Sequence, residues 1–194
     1  MKKAKKKREA ILQAGLIIFA RDGFYNAKIN DISNLAGIGT GTIYLYFENK
    51  EHILKEILVD IWSTVKEELY LILEKTNITS KEKIAKSALR IYELAKRKSQ
   101  IAKMVLQEYA VWNDPTFENL SKVMEGMRIV LFQLIQEGID RNEFKQEIKP
   151  ELAVPFLIGA VWNFIEFALQ NVDKYSSEVF ENQIQILVEN TFSK

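Results

Sequence analysis

The residues best suited to recognition chemistry form one short run, Gly41-Thr42-Ile43-Tyr44-Leu45-Tyr46-Phe47. A helix turns by about 100° per residue. With Ile43 and Phe47 set against a core, Gly41, Thr42 and Leu45 point outward and Tyr44 and Tyr46 stand on the flanks. A helix that only meets water carries Lys and Glu on that side, and this one carries neither. Thr can hydrogen-bond bases or phosphates, Leu45 can touch a thymine methyl, and Tyr hydroxyls suit phosphate oxygens. Gly41 lets a partner approach the backbone closely. The alternative is that Tyr44 and Leu45 pack on another helix of the same chain.

Charge singles out the same region. The formal net charge is +1, but residues 1–50 carry 9 basic against 4 acidic side chains, and the remainder carries 18 against 22. A basic amino-terminal part on an acidic body suits a polyanion partner; a solvated Lys-rich tail is the plain alternative. The basic residues also stand in unusual places. Lys2 to Arg8 open the first expected helix, Lys28 the second and Lys50 the fourth. Cations at helix amino termini are mildly unfavourable, unless an external anion sits there as well.

These groups must be positioned by helices. The chain has 194 residues, 47% hydrophobic and 27% charged, with 8 Gly, 3 Pro and no Cys. That is ordinary for a folded protein, favours long helices, and leaves no disulfide framework or Cys-based zinc site. His52 is the only histidine, so no metal and no His-based catalysis is expected. Periodicity and caps predict helices at 6–21, 29–36, 40–46, 50–75, 80–98, 100–112, 116–140, 151–170 and 177–192. The expected fold is all-α, with about nine helices. The pair at 29–46, joined across Gly37-Ile38-Gly39, fits a helix-turn-helix. The apolar run Leu152 to Trp162 is interrupted by Pro155 and is shorter than the roughly 20 residues a bilayer needs. With no export signal visible, the expectation is a cytoplasmic protein without a membrane partner.

Residues 8–54 resemble the TetR family of bacterial transcription regulators. The likeness rests on Ile11-Leu12 with Phe19, Gly23-Phe24, Asp31-Ile32-Ser33, Ala36-Gly37, and above all the run from Gly41 to Glu51. It implies a three-helix DNA-binding domain over 1–50, and a helical effector-binding and dimerisation domain over 51–194. It also implies a homodimer on a palindromic double-stranded DNA operator, most simply a repressor released by a small effector. Positions matching Ile29, Asn30, Thr40, Thr42, Tyr44, Leu45, Tyr46 and Lys50 contact DNA in the family; Lys28 and Gly41 join them from charge and face. The chain departs from the family at Ile38-Gly39-Thr40-Gly41, where relatives often read Val-Ser-Lys-Gly. A capping hydroxyl and a cation are missing.

The acidic body is read from composition. It holds Trp62, Trp112, Trp162, Met104, Met124 and Met127, with the polar residues Gln107, Glu108, Asn163 and Glu166 inside apolar stretches. Interior polar groups need partners, so these ten residues are the candidate effector contacts; core packing is the bland alternative for each. The helix from Glu151 is apolar on more than one face and so should be covered on two sides. Phe156, Ala160, Phe164 and Phe167 there, with Ile184, Leu187 and Val188 on the last helix, are the candidate dimer interface. The phrase from Glu137 to Phe144, and the Tyr-Leu-Tyr-Phe run, are similar to those of the fatty-acyl-CoA-responsive branch. That points to an apolar effector, an acyl-CoA or another apolar ligand.

An enzyme is not expected, because no zinc motif, nucleophile elbow or phosphate loop is present, and no cofactor is called for. The remaining rival is a non-enzymatic interaction or membrane-surface protein using the Lys-rich amino terminus. The first helix, however, lacks the wide Trp-bearing apolar face such anchoring favours.

Overall fold

The computed structural model describes residues 2–97, 99, 102 and 118–191. Among them are eight helices and no strand: α1 (Lys2–Asp22), α2 (Ile29–Ala36), α3 (Thr40–Ile43), α4 (Lys50–Leu73), α5 (Ser80–Arg97), α6 (Glu118–Asp140), α7 (Pro150–Gln170) and α8 (Ser177–Thr191). The helix expected at 100–112, and Thr116 and Phe117 at the start of the next, lie outside the described residues.

The chain forms two compact units. One contains the chain up to Trp62, so it runs past the expected boundary at Lys50 and takes in the first half of α4. Its core is built from Ile11, Ile18 and Phe19 of α1, Ile32 of α2, Ile43 and Phe47 around α3, and Ile53, Leu54 and Leu58 of α4, all at most 2% exposed. The other contains Ser63–Arg97 and the chain from Lys122 on. There α5 packs on α7 and α8, and the rings of Tyr92, Phe164 and Tyr175 surround Phe180.

Two helices start on side-chain caps. Asn49 Oδ1 accepts from the His52 amide at 2.8 Å and starts α4. At α5, Thr79 and Glu82 form a reciprocal capping box, with the Thr79 amide and hydroxyl donating to Glu82 Oε2 and the Glu82 amide to Thr79 Oγ1. Those bonds hold the Glu82 carboxyl below the usual carboxylate range.

The phrase Glu137 to Phe144 turns out to be a structural corner. Glu137 pairs with the ammonium of Lys83, 2.9 Å from both carboxylate oxygens, and that ammonium also donates to the Leu73 carbonyl at the end of α4. Arg141 reaches the same carboxylate at 2.8 Å. Asn142 has φ +59°, and the Glu143 amide returns to the Gly138 carbonyl at 2.8 Å, which closes α6 with a left-handed cap. The Glu143 carboxylate accepts from the Ser80 amide at 2.6 Å, on the first residue of α5. Phe144 lies directly over Gly138, where a β-carbon would come within 2.1 Å of its ring. Gly138→Ala should therefore displace that ring and destabilise the protein by about 1–3 kcal/mol, as read by urea unfolding.

Helix α7 runs through Pro155 as expected over 151–170, but its 21 residues outlast the apolar run from Leu152 to Trp162, and by length and composition alone it is long and apolar enough to cross a membrane. Its two sides differ, however. Ala153, Val154, Leu157, Ile165, Ala168 and Leu169 are buried against the same chain, whereas Leu152, Phe156, Ala160, Asn163 and Phe167 form one exposed stripe. Both sides are mostly apolar, so periodicity could not tell them apart.

Candidate nucleic-acid interface

Gly37 decides how α2 meets α3. At φ +64° it occupies the left-handed region, and the Ile38 amide reaches back to the Ser33 carbonyl at 3.0 Å. This six-to-one closure ends α2 sharply. Gly39, in extended backbone, then starts α3 without a side-chain cap, as the departure from Val-Ser-Lys-Gly implies. The helical segment is shorter than expected: α3 stops at Ile43, and Tyr44 to Tyr46 continue as a tight turn through Leu45 N–H to Thr42 and Tyr46 N–H to Ile43. Such three-residue bonds tighten a last helical turn.

The outward face is uncharged. Ile43 and Phe47 are sealed at 0% and 2% exposure, whereas Leu45 is 81% and Tyr44 56% exposed. Gly41 is exposed, and Thr42 and Tyr46 are half-buried beside them. The alternative of Tyr44 and Leu45 packing within the chain is thus not what the structure has.

Asn30 and Thr40 are brought together by Ser33, which the sequence did not single out. Ser33 is 4% exposed; its hydroxyl donates to the Asn30 carbonyl at 2.9 Å and lies 3.0 Å from the Thr40 hydroxyl, which in turn donates to Asn30 Oδ1 at 3.3 Å. This ties the start of α2 to the start of α3. The available signal was a hydroxyl interrupting the apolar face of α2. Tyr25, 79% exposed with its ring edge-on to Phe24, also escaped notice, because loop residues show no periodicity.

The cations separate into two groups. Lys28, exposed at the start of α2, makes no ion pair among the described residues, and Ile29 beside it is half-buried. Other cations are engaged within the unit. Arg8 pairs with Glu56 and lies over the Phe47 ring. Arg21 pairs with Asp22 at 2.7 Å, and that pairing holds the Asp22 carboxyl below its usual range. The Lys50 ammonium stands 2.9 Å from the carbonyls of Phe24 and Tyr25, 3.4 Å from that of Ala27 and 4.7 Å from the Phe24 ring centre. The positive charge at the start of α4 therefore already has negative partners inside the protein.

Comparison with known proteins now fixes the family of the amino-terminal part. Residues 11–57 match the model for bacterial regulatory proteins of the tetR family. Over its whole length the chain is 26% identical to the fatty acid metabolism regulator protein of Bacillus subtilis, covering all of both chains. Residues 11–57 of this chain are a TetR-family segment. It is 27% identical to the transcriptional repressor KstR2 of Rhodococcus jostii, covering 80% of this chain and 76% of that one. The crystal structure of FadR from Bacillus subtilis in complex with stearoyl-CoA superposes with a TM-score of 0.82 at 25% identity, covering 94% of this chain and 97% of that one. FadR from Bacillus halodurans shares the fold, with a TM-score of 0.82 at 22% identity over 95% of each chain. The protein is a transcriptional regulator and not an enzyme.

The candidate contacts in the body of this regulator differ in exposure. Met104, Gln107, Glu108 and Trp112 lie outside the described residues. Trp62 and Met127 are buried, and Met124, Trp162 and Glu166 are half-buried. Asn163, expected as an interior polar group, is instead exposed, with its amide donating to the Gly159 carbonyl of its own helix at 2.9 Å. No interior partner is needed to satisfy it. Of the dimer candidates, Phe156, Ala160, Phe167 and Leu187 are exposed, and Phe164 and Val188 are half-buried. Ile184 is a correction: at 4% exposure it is covered by its own subunit, on the opposite side of α8 from the exposed Ile186.

Proposed function

We propose that this regulator is a homodimeric repressor that binds a palindromic operator through α3 and is released by a long-chain acyl-CoA. The observation that carries the DNA-binding part is the uncharged, largely exposed face of Gly41, Thr42, Tyr44 and Leu45, flanked by Tyr46 and by Lys28, which has no ion pair among the described residues. Ile29, Asn30 and Thr40 complete it at the junction of α2 and α3. Two heads would enter successive major grooves about 34–36 Å apart. The second copy is supported by the exposed apolar residues Leu152, Phe156 and Phe167 on α7, and Val179, Ile186 and Leu187 on α8. A bare apolar surface of this kind calls for a partner, and a second copy in the cytoplasm covers it.

The effector class follows from the relative that binds stearoyl-CoA. A ligand that binds better to a dimer with the wrong head spacing shifts the population and frees the DNA. Helix α4 is the lever in this scheme, because it begins in the head unit and continues into the other.

The experiment is selection of bound sequences from a random DNA pool, followed by titration of the complex with stearoyl-CoA. Two half-sites about one helical turn apart, and release by the acyl-CoA, are expected. No enriched duplex would refute the DNA-binding part, and a complex indifferent to acyl-CoAs of every length would refute the effector.

A further inference from the structure

Lys50 stands where an anion-seeking cation is expected, yet its donors are occupied. An ammonium has three N–H groups, and three carbonyl oxygens, of Phe24, Tyr25 and Ala27, lie at 2.9, 2.9 and 3.4 Å. The centre of the Phe24 ring lies 4.7 Å from the same nitrogen. No backbone amide among the described residues donates to those three carbonyls. They belong to the connection between α1 and α2, outside either helix, and Lys50 is what satisfies them. That connection carries Tyr25, 79% exposed, and leads into Lys28, which has no ion pair among the described residues. Tyrosine hydroxyls and lysine ammoniums are the usual donors to phosphate oxygens.

We propose that Lys50 is a positioning residue: its ammonium gathers the carbonyls of residues 24, 25 and 27 and so sets Tyr25 and Lys28 against the DNA backbone, without itself contacting a phosphate. The inference rests on the DNA-binding reading above. It differs from direct phosphate contact in what arginine can do. A guanidinium serves a phosphate as well as an ammonium or better, but its planar fork cannot direct donors at three carbonyls gathered around one point.

The test measures the affinity of the full chain for a selected operator fragment across a salt series. It compares wild type, Lys50→Arg, Lys50→Met, Lys28→Ala and the double variant Lys28→Ala/Lys50→Met. Lys50→Arg, which keeps the charge and the long stem, guards against simple loss of folding, and circular dichroism checks each variant. Both Lys50 variants are expected to bind about tenfold or more weakly. Lys28→Ala is expected to lower the slope of log affinity against log salt by about 0.9 in the wild-type background. In the Lys50→Met background it should change little, because the turn that presents Lys28 is already displaced. Wild-type affinity and slope in Lys50→Arg, with Lys28→Ala and Lys50→Met acting independently, would overturn the proposal. A wild-type chain that binds no duplex would instead remove the DNA-binding reading, and this one with it.

Discussion

Leu45→Glu is expected to abolish specific operator binding and leave the protein folded. Leu45 is 81% exposed, so the substitution removes almost no packing. A carboxylate there would sit in a groove walled by phosphates, with like charge on both sides and no cation on its own helix turn. A loss of about 100-fold or more in affinity follows, roughly 3 kcal/mol, measured by gel shift or fluorescence anisotropy at fixed salt. The unfolding midpoint in urea should stay at the wild-type value. Tyr46→Ala probes the flank of the same face and should also abolish binding. Normal operator affinity in both variants would count decisively against α3 as the reading element.

Glu137→Ala is the substitution with the largest expected cost in stability. It strips the carboxylate from Lys83, a side chain only 2% exposed, and leaves its ammonium with the Leu73 carbonyl alone among its three oxygen partners. Removing one member of a buried ion pair typically costs about 3–5 kcal/mol. That is a large part of the stability of an ordinary domain. The double variant Lys83→Met/Glu137→Leu should regain most of the loss, because neither charge is then buried. Arg141, the third member of the cluster, is 44% exposed in its side chain and can return to water. Urea unfolding of the two single variants and the pair reads the coupling directly. Additive losses would show that the cluster is not a unit.

The parts of the fold written in the sequence were those whose signals are local. Asn49 and Thr79-Ser80 marked the starts of α4 and α5, and Gly37 marked the end of α2; the part of Glu82 in the second cap was seen only in the structure. The inward choice of Ile43 and Phe47 fixed the outward face of α3 without any knowledge of its neighbours. Long-range partnership was not written there. Lys50 looks like a cation awaiting an anion until the carbonyls of residues 24, 25 and 27 fold back on it from a segment more than 20 positions away. Ser33 looks like a lone hydroxyl in the apolar face of α2 until Thr40 closes over it. In α7, apolar residues lie all round, so the sequence alone could not say that Asn163 faces outward. On α8, Ile184 and Leu187 are one turn apart, and only packing separates the buried one from the exposed one.

The corner from Glu137 to Asn142 and on to Phe144 carries a lesson for comparing chains. Glu137, Asn142, Glu143 and Phe144, with Gly138 beneath the ring, are fully engaged in joining α6 to the start of α5 and the end of α4. Those four side chains are thereby committed within the protein. Wherever the same phrase occurs in another regulator it should forecast this joinery, and the cargo must be sought in whatever residues differ around it.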